Sequence, residues 1–568
     1  MSDQSTEIDN LLHRRNSWQR QEERTRNLSL LECNNKPTLD HELPGISASL
    51  YQPLSGPDMK RIADAAFEVL AKSGMAVYSD TAFEAFRAAG AQVDGDSRIV
   101  RLPRALVEDA IESNPSSVAL CSRDGKNDAV LERNRVYYST GGTAIYVLDP
   151  DTGERRRSTT KDVILNARMV EALDNIHAFT INVFPNEIEG KDDIDVNRFF
   201  HALDHTTKHV MGGIYSLKGC RKVVRLAQMI AGGAEALREK PFVSFITLLI
   251  SPFKIDDDYG EMTCYLAREG LPVVVPTEPI CGTTSPITLA GNVLTHVAET
   301  LGGIAMVQCV NRGAPGICGS VGSVTNLQTM DHLGGPIERA MANAAVSQMA
   351  QHFEIPLYST GGTTDAKTVD IQAAYESALS SMLVAMSGAN YIHDIAGLME
   401  ADLTVSYEKL VMDNEILGMC QRVLRGIEVN DETLAPELMI EKGPGQDFMM
   451  EEHTLNHMRG EFFVPQLANR EKRESMASSD DAMARAKAVV REIRSMRPES
   501  RLPANVREQI LELYPEIRCQ RVRPRSDKVE RRPDRERPSV IYTGVSVSPK
   551  PAPASDRSCP KCGHFGYR

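Results

Sequence analysis

The stretch FVSFITLLISPFKIDDDYGEMTCYLAREGLPVVVPTE, residues 242–278, contains two apolar runs separated by an amphipathic segment. The runs FVSFITLLI and PVVVP are rich in residues that favour buried strands, and YGEMTCYLAREG has the apolar spacing of a helix. A strand, a helix and a second strand in this order are typical of parallel strands. The stretch therefore predicts one β–α–β unit of a parallel sheet.

The same alternation of strand and helix continues on both sides of this unit. Five more apolar runs are separated by amphipathic segments: TINVF (180–184), HVMGGIY (209–215), APGICGS (314–320), IPLYST (355–360) and ANYIHDI (389–395). Seven such strands over about 250 residues favour an α/β fold of the TIM (β/α)8 barrel type, and an open doubly wound sheet is the alternative. We expect the eighth strand at TAIYVLD (143–149) or beyond residue 400.

Composition divides the rest of the chain. A polar, charge-rich start predicts a disordered arm over 1–45, and helical periodicity predicts a mainly helical lead-in over 46–135. The barrel with its C-terminal helices is expected over 136–515. A segment rich in Pro, Arg and Asp predicts a disordered tail over 516–568.

Bulk properties exclude several classes of protein. The 568 residues are 42% hydrophobic and 25% charged, which excludes a fibrous or wholly disordered chain. The formal net charge of -13 argues against nucleic acid or an anionic membrane as a partner and is compatible with a cationic substrate. Eleven scattered Cys indicate reduced thiols, and no signal-type or 18-residue apolar run is present. We expect a soluble, cytoplasmic protein.

The active site of a parallel barrel is built from the loops that follow its strands. Several of these loops are rich in Gly, Ser and Thr, which bring backbone N–H groups and small hydroxyls close to a ligand. The sextet YSTGGT occurs twice, at 138–143 and 358–363, either as a repeated device or by chance. We call the choice of residues just after each predicted strand the strand-end filter. It selects Phe184, Asn186, Tyr215, Ser251, Phe253, Glu278, Cys281, Thr283, Ser320, Ser323, Thr363, Asp365, His393 and Asp394.

Simpler interpretations apply to some of these patterns. Steps of four place His201, His205 and His209 on one helix face, and a helix-surface role is favoured over metal binding. Asp365 can be the N-cap of the helix TVDIQAAYESAL (368–379). The C-terminal CPKCGH (559–564) has too few ligands for a zinc site. We therefore expect no metal.

Four longer segments resemble the trimethylamine:corrinoid methyltransferase family, and the similarity covers roughly residues 46–515. They are SPITLAGNVLTHVAETLGGIAMVQ (285–308), GGTTDAKTVDIQAAYESAL (361–379), SGANYIHDIAGLMEADLTVSYEKLVMDNEI (387–416) and GPGQDFMMEEHTLNHMR (443–459). The resemblance implies a TIM barrel that passes a methyl group from a methylated amine to the cobalt of a corrinoid (cobalamin) carried by a partner protein. It also implies a homo-oligomer and no corrinoid bound tightly to this chain.

One position departs from the family pattern. Archaeal trimethylamine members carry pyrrolysine where this chain has Thr363, so the chain resembles the branch that uses glycine betaine and related quaternary amines. A quaternary ammonium leaves as a neutral amine and needs no proton. A tertiary-amine methyltransferase, a barrel with tetrahydrofolate as acceptor and a non-catalytic amine-binding protein remain alternatives.

The resemblance and the strand-end filter together give the predicted site. As catalytic residues we expect Thr363, Asp365 and His393. For contact with the substrate we expect an aromatic and anionic pocket that holds the cation. Its predicted members are Tyr146, Phe184, Glu278, Gly361, Gly362 and Tyr375.

Overall fold

The structure is a computed structural model, and it describes residues 44–473 and 481–518. All but the last two residues of the predicted arm (1–45) lie outside the described residues. The same holds for all but the first three residues of the predicted tail (516–568), so the CPKCGH segment is also outside them.

Eight parallel strands form one closed barrel. Each strand pairs with the next along the chain, the last pairs with the first, and a parallel bridge between Ser139 and Ala178 joins the first to the second. The (β/α)8 prediction is therefore confirmed, and the open sheet is excluded. The strands are β1 (Arg135–Tyr138), β2 (Ala178–Thr180), β3 (His209–Gly213), β4 (Val243–Ile246), β5 (Val273–Thr277), β6 (Gly316–Ser320), β7 (Leu357–Thr360) and β8 (Tyr391–His393).

The predicted position of the eighth strand was wrong. The missing strand is β1, which ends at the first residue of the first YSTGGT sextet and begins at Arg135, the last residue of the predicted lead-in. Its four residues, RVYY, are too few to show a strand pattern. Tyr146–Leu148 is a strand of a separate small sheet, together with Arg155–Arg157, Leu398–Met399 and Thr404–Val405.

Helices surround the barrel and extend it at both ends. Ser55 caps the helix Gly56–Lys72 by accepting a hydrogen bond from the Asp58 amide, and Asp370 caps the helix Ile371–Met386 by accepting one from the Ala373 amide. In chain order the helices are α1 (Gly56–Lys72), α2 (Asp80–Ala88), α3 (Arg104–Ser113), α4 (Thr160–Ala172), α5 (Lys191–His205), α6 (Leu217–Ala231), α7 (Ala234–Glu239), α8 (Asp257–Glu269), α9 (Leu289–Val310), α10 (Ile337–His352), α11 (Ile371–Met386), α12 (Tyr407–Arg425), α13 (Asp431–Leu434), α14 (Pro436–Lys442), α15 (Glu452–Glu461), α16 (Ala482–Ser495) and α17 (Ala504–Leu513).

Helix α9 is the one described helix that is long and apolar enough to cross a membrane. In the structure 83% of its most apolar window is buried, because α9 packs against β5 and β6 on one side and against the lead-in helices on the other. Its apolar character is that of a core helix.

A hairpin closes the N-terminal end of the barrel. The strands Ser117–Leu120 and Ala129–Glu132 pair with each other and pack their apolar side chains against the interior residues Tyr137, Met211 and Ile317. The Val130 amide donates a hydrogen bond to the Tyr137 hydroxyl. Ligands therefore reach the barrel interior from the C-terminal ends of the strands.

The segment after α12 differs from the rest. Helices α13, α14 and α15 contain no buried residue, and large apolar side chains such as Ile427, Ile440 and Met450 are more than 80% exposed. We call this segment, residues 427–464, the C-terminal apolar surface. Helix α16 returns to the barrel and packs on α12 and α4.

The predicted helix-surface role of three histidines was wrong. His201 and His205 lie on α5, His209 begins β3, and all three are buried. The Nε2 atom of His209 is 2.7 Å from the Ser244 hydroxyl. Burial lowers the pKa of His201 to about 3, so its ring is neutral in the folded core.

Candidate active site

A cavity of about 950 Å³ opens at the C-terminal ends of the barrel strands. Loops after nearly every strand contribute to it. Arg155 comes from the small sheet that contains Tyr146–Leu148, and His332 and Leu333 come from a second small sheet of Ile280–Cys281, Ser323–Thr325 and His332–Leu333. Its apolar lining comes from Ile246, Leu248, Pro276, Val321, Leu333 and Leu403. A volume of this size suits a small organic ligand together with the approach of a second reactant.

Three predicted site residues meet in this cavity: Glu278 after β5, Asp365 after β7 and His393 at the end of β8. They come from loops far apart in the sequence, and the barrel closure brings them together. Tyr358 of β7 also lines the cavity.

His393 has a fixed orientation. Its ring lies flat on Tyr358, with 3.7 Å between the ring centroids and 10° between the planes. The Nε2 atom is 2.7 Å from the Thr360 hydroxyl, and Nδ1 is 2.8 Å from Asp394 Oδ1. His393 and Asp394 are both buried. Stacking and polar contacts on both ring nitrogens leave the imidazole little freedom to rotate.

The two YSTGGT copies flank β8. The first copy ends β1 and the second ends β7, and these are the two strands that pair with β8. A Cβ atom on Gly141 would lie 2.3 Å from both the backbone nitrogen and Oδ1 of Asp394. Gly362 has a φ of +71°, and a Cβ there would lie 2.6 Å from the backbone of Ile395. The repeated glycines thus permit close approach to the 393–395 segment from both sides.

Thr363 lies below the cavity. Its hydroxyl donates to the Gly334 carbonyl at 2.6 Å and accepts a hydrogen bond from Arg339 Nη1 at 2.9 Å. The side chain is 2% exposed. At the position where the family resemblance places pyrrolysine, this chain therefore has a small side chain that is bonded to the protein and buried.

Arg339, Asp402, His332 and Glu278 form a connected polar cluster. Arg339 Nη2 lies 3.0 Å from Asp402 Oδ2, and the His332 ring bridges Asp402 at 3.4 Å and Glu278 at 3.5 Å. Burial alone would raise the pKa of Asp402, but Arg339 and His332 outweigh it and hold this pKa below its usual range. Asp402 is ionised at neutral pH.

Glu278 shows the opposite shift. Burial raises its pKa, and the positive charges of His332 and Arg339 oppose this only in part. A cation bound beside Glu278 would compensate the desolvation of its carboxylate.

Asp365 is a loop anchor rather than a helix cap. Its carboxylate accepts hydrogen bonds from the Gly334 amide at 2.7 Å and the Gly335 amide at 3.1 Å. The prediction that it caps the following helix was wrong, since Asp370 does so. Asp365 thus ties the loop after β7 to the loop after β6.

Gly361 and Gly362 face the surrounding helices. The Gly362 amide donates to Ser380 Oγ at 3.0 Å, and its carbonyl accepts from Ser377 Oγ at 2.9 Å and Lys409 Nζ at 3.1 Å. Lys409 is fully buried and lies 2.7 Å from Asp413. Neither glycine lines the cavity.

The three predicted aromatic contacts lie away from the cavity lining. The Arg155 guanidinium already lies over the Tyr146 ring, 4.1 Å from its centroid. Phe184 packs edge to face with Tyr215 at 5.8 Å, and Tyr375 is on the exposed side of α11. Among the residues that the structure describes, Tyr358 is the Phe, Tyr or Trp residue of the lining.

Several lining residues were not selected from the sequence. They lie in two loops that are polar and carry no periodic pattern, after β6 and after β8. Carboxylates in loops after barrel strands were the available signal, but it does not distinguish them from other surface loops. These residues are Asp331, His332, Glu400 and Asp402, with Arg339 behind them. Within residues 44–473 and 481–518, no group of three or more His, Cys, Asp or Glu side chains is arranged to hold a metal ion.

Comparison with known proteins identifies the family. Residues 19–518 match the family model described as "Trimethylamine methyltransferase (MTTB)". The chain is 34% identical over 420 residues to a trimethylamine methyltransferase MttB of Desulfitobacterium hafniense (strain DSM 10664 / DCB-2), covering 74% of this chain and 81% of that protein.

Two further relatives carry related names. A glycine betaine methyltransferase of Desulfitobacterium hafniense (strain Y51) is 29% identical over 378 residues, covering 66% of this chain and 78% of that protein. A trimethylamine methyltransferase MttB of Methanosarcina barkeri (strain Fusaro / DSM 804) is 31% identical over 424 residues, covering 73% and 84%. With a methyltransferase family model matched over most of its length, the chain belongs to the trimethylamine methyltransferase (MTTB) family.

Proposed function

We propose that this enzyme transfers a methyl group from a quaternary or other methylated ammonium compound, of which glycine betaine is one example, to the cobalt of a corrinoid on a partner protein. The observation that carries the proposal is the charge of the cavity, in which carboxylates outnumber basic side chains. An acidic cavity with an apolar wall favours an organic cation.

The chemistry places few demands on this chain. A methyl group on a positively charged nitrogen is transferred in line to a nucleophile, and a quaternary nitrogen then departs as a neutral amine. The residues of the cavity need to bind the cation, exclude water and direct one N–CH₃ group toward the mouth. Glu278 and Asp402 supply negative charge, and Tyr358 with Ile246 supplies apolar contact.

The buried Thr363 supports the choice of a quaternary nitrogen. Its hydroxyl is engaged with Gly334 and Arg339, so it offers no group that reacts with or protonates an amine. We assign the predicted catalytic roles accordingly: His393 and Asp365 act as fixed polar walls, and Thr363 positions Arg339.

The corrinoid protein is proposed to dock on the rim of the mouth. Four large apolar side chains there are about half exposed or more. Ile287 and Leu327 lie next to each other, since a Cβ on Gly282 would contact both. An apolar patch around a cavity mouth is suited to a protein partner that delivers a methyl acceptor. The rim residues are Ile287, Leu327, Met330 and Leu403.

We also propose that the chain is a homo-oligomer and that the C-terminal apolar surface (427–464) is the contact between copies. Three helices without a buried residue lack a core of their own within the chain. Ile440→Glu should shift the mass measured by light scattering to that of a smaller species. An unchanged mass would contradict this interface.

The function is tested by mixing the purified protein, a reduced free corrinoid and single methylated amines, and by following the absorbance of the methylated corrinoid. We expect methyl transfer from at least one quaternary amine. The variant Asp402→Asn removes a carboxylate from the cavity and should raise the KM for the amine more than it lowers kcat. Absence of methyl transfer from a panel of quaternary and tertiary amines would refute the proposal.

A further inference from the structure

The charges around the cavity are strongly unequal. Among the described residues, six carboxyl groups line it, and the lining contains two Lys or Arg side chains. The acidic residues are Glu278, Asp331, Asp365, Asp394, Glu400 and Asp402, and the basic ones are Arg155 and Lys367.

Neither basic side chain presents a free charge to the cavity interior. Arg155 Nη1 lies 2.9 Å from Glu400 Oε2, and its guanidinium is stacked on Tyr146. Lys367 is exposed at the rim and donates to the main-chain carbonyl of Asp365. A ligand carboxylate inside the cavity would have to displace one of these contacts.

The other basic groups near the cavity are engaged as well. His332 lies between the carboxylates of Glu278 and Asp402. Arg339 is buried beneath the lining, where it donates to the Gly322 carbonyl at 3.1 Å and to Thr363. These contacts tie the loops together, and Arg339 Nη2 lies 3.0 Å from Asp402 Oδ2, so the guanidinium charge faces a carboxylate of the protein.

One carboxylate oxygen in the lining has the opposite property. Oδ1 of Asp402 is buried and has no hydrogen-bond donor among the residues the structure describes. Oδ1 of Asp394, by contrast, lies 2.8 Å from His393 Nδ1. A buried acceptor without a donor is unfavourable, and a ligand that brings an O–H or N–H group would satisfy it.

We propose that the substrate is a methylated ammonium compound whose other end carries a hydrogen-bond donor, such as a hydroxyl or a protonated amine, and not a carboxylate. This inference rests on the proposed function and narrows its substrate class, which includes glycine betaine, to compounds without a carboxylate. The cavity volume of about 950 Å³ also exceeds what a minimal methylated amine fills. Glycine betaine would place its carboxylate among the acidic residues, where like charges repel.

Choline and glycine betaine provide a matched pair of ligands. Both carry the trimethylammonium group and are of similar size, and they differ in a terminal hydroxyl against a terminal carboxylate. Isothermal titration of the full-length protein should give a Kd for choline at least about tenfold lower than that for glycine betaine. (2-Aminoethyl)trimethylammonium, with a protonated amine in place of the hydroxyl, should bind at least as tightly as choline.

Three variants assign the preference to its source. Asp402→Asn gains an N–H donor and loses a charge, so it should narrow the ratio of the two Kd values. Asp331→Asn removes the same charge from an exposed position at the mouth and should narrow the ratio less. Lys367→Gln should leave the ratio unchanged, because Lys367 is not proposed to bind a carboxylate.

The outcomes separate this inference from the proposed function. Tighter binding of glycine betaine than of choline in the wild-type protein would overturn the inference while leaving the function intact. If Lys367→Gln then lost this preference for glycine betaine, Lys367 would be identified as the residue that binds the carboxylate. Binding of none of the three ammonium compounds would count against the function itself. The wild-type comparison decides the question even if Asp402→Asn does not fold.

Discussion

Gly141→Ala tests whether the first YSTGGT loop determines the position of the His393–Asp394 segment. An Ala Cβ at this position would lie 2.3 Å from the backbone nitrogen and from Oδ1 of Asp394, and 2.8 Å from Nδ1 of His393. These distances are about 1 Å inside van der Waals contact at ~3.5 Å. Because one of the atoms belongs to the backbone, a side-chain rotation cannot relieve the overlap.

The size of the effect follows from the overlap. Overpacking of this kind costs about 1–3 kcal/mol, which lowers the melting temperature by roughly 2–12 °C in a domain of a few hundred residues. The displaced Asp394 should also weaken binding of the ammonium ligand. The measurements are a thermal melt and a titration with choline.

Gly213→Ala is the matched control. Gly213 lines the same cavity, and a Cβ atom added there meets nothing within 4 Å. Its melting temperature should stay within about 2 °C of the wild-type value. If Gly141→Ala melts and binds choline as Gly213→Ala does, the close approach of the first loop to β8 does not hold.

Three other perturbations probe separate parts of the structure. Lys409→Met should lower the free energy of unfolding by about 3–5 kcal/mol, because it leaves Asp413 buried without its ion-pair partner. Combining it with Asp413→Leu should recover much of this loss, and denaturant titrations measure both variants. Burial lowers the pKa of His296 to about 3, so the unfolded chain binds the proton more tightly and stability rises with pH between that value and about 6.5. At pH 5 the free energy of unfolding should be about 2 kcal/mol lower than at neutral pH. His296→Leu should make the pH profile of the unfolding midpoint flatter, and an unchanged slope would show that other groups cause the pH dependence. Leu327→Asp should raise the KM for the corrinoid protein by about tenfold with unchanged choline affinity, and an unchanged KM would exclude this rim from the docking site.

The sequence predicts the barrel well where the strands are buried on both faces. Continuous apolar runs such as FVSFITLLI and PVVVP can be recognised as strands from the local sequence alone, and their alternation with helices indicates parallel pairing. The short strand β1 has no such run, and it is recognised only through its pairing with β8. Buried histidines such as His201 are predicted to be exposed, because burial of a polar ring depends on contacts with residues far away in the sequence.

The cavity was predictable in part. The strand-end rule selected Glu278, Asp365 and His393, which line it. The rule did not select Asp402 and His332, because loops long enough to fold back over the mouth have no fixed distance from their strand. The aromatics were chosen by residue type, and Tyr146 illustrates why this falls short: its ring face is occupied by Arg155.

The closure of β1 on β8 affects how the chain is synthesised. The partner of Arg135–Tyr138 is Tyr391–His393, so the ribosome must add more than 250 further residues before the ring can be completed. At translation rates of about 5–20 residues per second, β1 waits roughly 13–50 seconds with one edge open. During that interval the edge is a template for wrong pairing, and a nascent chain of this enzyme should depend on chaperones until its eighth strand emerges.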